Sequence, residues 1–258
     1  MTTATMGAAQ TRAGRYIYVW MAVACSAVAF GGFAGTYWLQ LPGGTFVGHP
    51  ILHVHALVFS SWLVLLLSQT WLAAQGHMQH HRAWGVVGVS LATAMIFVGL
   101  AAMLDSLKFE LAEGYGLKAR EFMVLPFSAL VLFAALFAAA VINVKRPEWH
   151  KRLMLVATVG IIQAAMARVF FLAINGGGPG ARPGLGPPLP VAISLAPGAV
   201  VDLIILAGII FDWRTRGRPH PAYLWGGGAT VVVQLIRVPL SHSALWLACA
   251  GFLERFAA

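Results

Sequence analysis

Apolar runs of membrane-spanning length recur along almost the whole chain, and no other property narrows the possible folds so far. They cover Tyr16–Trp38 and then residues 51–75, 83–104, 121–143, 151–174, 192–212 and 223–248. A bilayer's hydrocarbon core is crossed by about 20 apolar helical residues, and each run meets that length. Charged residues make up 10% of the chain, against roughly a quarter in a soluble domain. A water-soluble fold of this size has nowhere to hide so much apolar surface. The expected fold is all-α: an integral membrane bundle of seven transmembrane helices. Residues 1–14 read as a disordered cytoplasmic tail, and 15–258 as a single transmembrane domain. A signal peptide's apolar core spans only roughly 7–15 residues, so the first run reads as a retained helix.

The basic residues orient the bundle. With the N-terminus cytoplasmic, the inner segments carry Arg12, Arg15, Arg82, Lys145, Arg146, Lys151, Arg152, Arg214, Arg216 and Arg218. The outer segments carry Lys108, Lys118, Arg120, Arg182 and Arg255. This is the asymmetry of the positive-inside rule, and it places the chain, multi-pass, in a bacterial inner (cytoplasmic) membrane with lipid as its first partner. The net charge of +9 does not point to nucleic acid, because the cations sit in short loops and form no basic domain. Cys25 and Cys249, both in apolar segments, make neither a thiolate array nor a disulfide scaffold.

Between the runs, Gly176–Pro190 is too rich in glycine and proline to propagate a helix and reads as an outer loop or flap. Asp105–Arg120, mixed in charge, reads as a second outer loop able to form a surface helix. Gly31 and Gly35 form a GxxxG pattern that permits close helix approach. Pro239 makes the last run a candidate for a re-entrant segment.

Nine histidines fall at the helix ends, and topology divides them. The outer set is His49, His53, His55 and His242, at the depth of Arg168, Asp202 and Arg237. His53 and His55 are two apart and point about 200° from one another on a helix, so they do not share one ion. Ionisable groups in membrane helices usually face the interior. Imidazoles for iron and guanidiniums for propionates suit haem b, which makes His53, His55, Arg168, Asp202, Arg237 and His242 the candidate cofactor site. A transition metal held by His and Asp is a second reading. An Arg168–Asp202 ion pair that locks two helices is a third. The inner set is His77, His80, His81, His150 and His220. His81, His150, Asp212 and His220 come from four segments and form a candidate metal site. Their basic neighbours equally suit an interfacial anchor at anionic lipid, or a quinone oxygen.

There is no Walker A pattern, GxSxG, HExxH or CxxC, and no mid-membrane lysine for a retinal Schiff base. Several segments do form a pattern: HAxxFxxWxxxxxxQTxL from His55 to Leu72, HRxxG at His81–Gly85, HKRLM at His150–Met154, Arg168, and DWRTRGRPHPAYLWGG at Asp212–Gly227. In these the chain resembles a group of uncharacterised bacterial polytopic membrane proteins. The resemblance marks His55, His81, His150, Arg168, Asp212 and His220. The chain is more distantly similar to small haem-linked membrane families of the cytochrome b561 type, which implies haem. The expected function is that of a redox or metal-centred membrane protein. It would bind haem b or a metal ion through histidines near one membrane face and exchange electrons with a quinone or a partner complex. Two other classes stay open: a non-catalytic subunit of a larger respiratory or photosynthetic assembly, and a metal-dependent membrane enzyme acting on a lipid-phase substrate.

Overall fold

The computed structural model describes residues 3–257, with their side chains from residue 14 onward. The tail expected over residues 1–14 therefore lies, apart from Gly14, outside the residues whose side chains are described. Nine α-helices follow one another among the described residues: α1 (Thr3–Ala34), α2 (Pro50–Ala74), α3 (Met78–Ala112), α4 (Gly116–Phe122), α5 (Val124–Ile142), α6 (Pro147–Asn175), α7 (Leu195–Arg216), α8 (Pro221–Ser241) and α9 (Ala244–Glu254). No strand occurs among the described residues.

Six stretches are long and apolar enough to cross a bilayer: Gly14–Ala34, Pro50–Ala74, Met78–Ala112, Gly116–Ile142, Pro147–Asn175 and Val191–Arg216. α8 and α9 together are as long and apolar but are bent by 86°, which makes a seventh if the pair is one span. The protein is a multi-pass membrane protein. Large exposed side chains such as Trp20, Leu57, Phe97 and Ile174 lie on these helices where lipid replaces water as solvent.

Local chemistry sets the helix ends. Proline occupies the first turn of α2, α6 and α8, where its missing N–H costs nothing. Gly217 takes φ +73° just past α7, a left-handed stop that only glycine adopts freely. The bend falls after Pro239: α8 runs through that proline to Ser241, and the chain turns at His242–Ser243. α9, of 11 residues, extends only about 16 Å and does not cross by itself. α3 has 35 residues and is about 52 Å long against a hydrocarbon core of ~30 Å. It therefore carries Asp105–Ala112 helically past the span, and α4 takes up much of what remains of the expected outer loop.

α6 is the hub. Half of its apolar window is buried, against 17–33% for the other spans, and α1, α5, α7 and α8 all pack on it. Between membrane helices such contacts rest on close van der Waals fit. Gly32 provides the closest approach: a Cβ there would run into the Ala165 carbonyl, 2.6 Å from its carbon. Of the GxxxG pair, Gly31 faces open space, while Gly35 closes on the Leu172 side chain of α6. The connections α2–α3, α5–α6 and α7–α8 lie at one end of the bundle, called inner below. The others lie at the outer end.

Candidate functional site

The two histidine sets do lie at opposite ends, and each end is built from different partners. At the inner end, Arg152 and Asp212, both 1% exposed, form a two-pronged ion pair. Arg152 Nε donates to Asp212 Oδ2 at 2.8 Å and Nη2 to Oδ1 at 2.5 Å. Arg152 Nη1 donates to Glu148 Oε2 at 2.6 Å, one turn back on α6. Lys151 reaches the other Glu148 oxygen at 2.6 Å, and Arg216 also pairs with Glu148. The Tyr18 and Tyr223 rings lie 5.8 and 5.5 Å from the Arg152 guanidinium. The network therefore ties α1, α6, α7 and α8 together. Charges this deep are tolerated only when paired and hydrogen-bonded.

Each member of the expected inner metal site has a partner within the chain. Asp212 is engaged by Arg152, and its Oδ2 also accepts from His220 N at 3.2 Å. His220 Nδ1 accepts from Ala222 N at 3.1 Å and so caps α8. Burial, and then the Arg152 charge, hold His220 below its ordinary imidazole range, which keeps Nδ1 free to accept. His150 Nδ1 bonds the Ala140 carbonyl at 2.9 Å and His81 Nδ1 the Gln69 carbonyl at 3.3 Å. Their rings face edge-on at 6.4 Å. Among the described residues no three His, Cys, Asp or Glu side chains converge as a metal site would require.

The outer candidates separate into four places. The Tyr37 hydroxyl and His53 Nδ1 are 2.8 Å apart. Burial pushes the Tyr37 phenol up, so it stays protonated and donates to the exposed His53. His242 pairs with Glu121 at 2.8 Å on the rim. Asp202 Oδ1 is buried without a partner, and Arg237 Nη2 donates to Ser194 Oγ at 2.9 Å. Gln163 donates to the Ser194 carbonyl at 2.7 Å, completing a polar knot among α6, α7 and α8. Arg168 Nη1 donates to Ala164 O at 2.9 Å, and its guanidinium lies 4.1 Å from the centre of the Phe33 ring. The Arg168–Asp202 ion pair is not formed, because each faces a different neighbour.

His55, the remaining member, stands in a cavity of about 140 Å³ between α1, α2, α3, α5 and α6. Phe33, Tyr37, Trp38, Phe59 and Leu130 line it, with Ala129 and Ile161 below. His55 stacks on Phe59 with ring centres 4.0 Å apart. Its Nδ1 is buried and has no hydrogen-bond partner. An engineered apolar cavity of about 150 Å³ accepts a benzene ring, so this space matches one six-membered ring. Haem b does not fit this cavity, since a space that matches one six-membered ring is far smaller than a porphyrin of four pyrroles.

The sequence pointed to His55 and Arg168 but not to Tyr37, Phe33 or Trp38, which shape the cavity. It also passed over Arg152, Glu148, Tyr18 and Tyr223 at the inner end. Arg152 and Tyr223 stand inside the HKRLM and PHPAY motifs, so the motifs held that signal. Tyr18 carries none, since an aromatic residue near a helix end is the ordinary interfacial pattern. No protein-family model, curated protein or solved structure matches the chain.

Proposed function

We propose that the chain is a seven-span bacterial inner-membrane protein, N-terminus cytoplasmic, that binds a quinone-class molecule drawn from the bilayer. The α8–α9 pair counts as the seventh crossing, and the basic residues gather in the inner connections as the positive-inside rule requires. One observation carries the binding reading: His55, whose Nδ1 is buried without a partner, lines a ring-sized apolar cavity. Ligand sites in proteins are mostly apolar with a few placed polar groups. A buried polar atom left unpaired costs about 1–3 kcal/mol, and a quinone carbonyl or quinol hydroxyl supplies the missing partner. The ring would stack among Phe33, Phe59 and Trp38, with its oxygen at His55. Electron exchange with a partner complex is the role such binding would serve.

Trp38 lines the cavity, so a bound quinone quenches its fluorescence. Titration of the purified protein in nanodiscs with a short-chain ubiquinone is expected to saturate at one site. His55→Leu, which keeps the volume and removes the polar atom, is expected to weaken binding by about tenfold, or about 1.4 kcal/mol. Unsaturable partitioning into lipid, or equal affinity in the variant, would remove the reading.

A further inference from the structure

We infer that the cavity selects an amphipathic oxyanion: an apolar body in the cavity and a carboxylate or enolate oxygen on Arg168. This rests on the reading that the cavity takes a molecule from the bilayer, and it adds the charge of the headgroup.

Arg168 lies on α6 one turn outward of Ala164 and Ala165, both of which line the cavity. Its guanidinium covers Phe33, another lining residue. A guanidinium offers five N–H donors, and the one hydrogen bond it makes among the described residues is to a carbonyl of its own helix. No carboxylate pairs with it among the described residues, whereas Arg152 pairs with Asp212 and Arg120 with Glu254.

A cation within a membrane span is costly and ordinarily has a named partner. Here the partner has to come from outside the chain. The planar fork of arginine matches two adjacent oxygens in a bidentate manner, which a carboxylate or an ionised hydroxyquinone presents and a simple quinone does not. An oxygen anion at the outer end of the cavity would meet the guanidinium that covers Phe33.

The test uses the full-length protein in phosphatidylcholine nanodiscs, at a pH where 2,5-dihydroxy-1,4-benzoquinone, a single ring of the size the cavity matches, is ionised. Its binding is compared with that of neutral 2,5-dimethyl-1,4-benzoquinone and of decanoate. The expected result is that the hydroxyquinone anion binds at least tenfold more tightly than the neutral quinone. Arg168→Gln abolishes that preference, and Arg168→Lys, which keeps the charge, retains most of it. Equal affinities for the two quinones in the native protein, or a preference that survives Arg168→Gln, would overturn the inference; a lipid phosphate already seated on Arg168 gives the first of these results. Saturable decanoate binding that depends on Arg168, with neither quinone bound, would uphold the oxyanion and remove the quinone. Binding of none of the three removes both.

Discussion

Asp212→Ala is expected to destabilise the protein by about 3–5 kcal/mol, because it leaves the Arg152 guanidinium buried without its counter-ion. In thermal unfolding of the purified protein, followed by circular dichroism, the midpoint should fall by on the order of 10 °C. Glu148 compensates little: it is more than a third exposed and already shared with Lys151 and Arg216, so solvent screens it. The informative control is the double variant Arg152→Met with Asp212→Leu. Replacing both members of a buried pair with apolar side chains of similar size is often neutral or better, so the double variant should recover most of the loss. If Asp212→Ala melts with the native protein, the inner network is not a lock. If the double variant is as damaged as the single one, the loss comes from contacts other than the charge pair.

Gly32→Ala is the second large effect. The new methyl would meet the Ala165 backbone, and a backbone carbonyl cannot turn aside as a side chain does. α1 must therefore move away from the hub helix. Overpacking of this kind costs about 1–3 kcal/mol and occasionally more, and the upper part of that range is expected because the obstacle is main chain. Ala165 also lines the cavity, so the displacement should weaken quinone binding as well as stability. Gly31→Ala is the matched comparison. Its Cβ meets nothing within 4 Å, and alanine is the better helix former by about 0.5–1 kcal/mol, so this variant should melt at or above the native midpoint. Equal behaviour of the two variants would mean that the α1–α6 approach is not set by Gly32.

Hydropathy made the spans legible, because length and apolarity alone decide whether a segment crosses. It placed the end of the span before Asp105 and allowed a surface helix over Asp105–Arg120, but did not show that α3 itself continues through Asp105, Lys108 and Glu110 beyond the hydrocarbon. The division of the histidines between two ends was legible too, since depth follows from position along a helix. Direction around the helix was only partly so. The two-residue spacing of His53 and His55 already implied that they point apart, and one does meet Tyr37 while the other enters the cavity. Arg168 and Asp202 share a depth, and nothing in their spacing shows that they look toward different helices. Arg152 was read as one more interfacial cation because its counter-ion lies 60 residues away. Only the tertiary arrangement joins them.

The central position of α6 also has a bearing on how the protein is made. Chains enter the bilayer in order of synthesis, N-terminal part first. The helices α1 to α5 therefore emerge before the helix on which α1 and α5 pack, and they must wait in lipid for it. Arg152 then reaches the membrane one span ahead of Asp212. During that interval its charge lacks Asp212 and has only Glu148 of its own helix, and under the proposed cytoplasmic N-terminus it adds to the cations of Lys145, Arg146 and Lys151 that hold this end on the side of synthesis. Only the arrival of α7 turns a signal for orientation into a bond between helices.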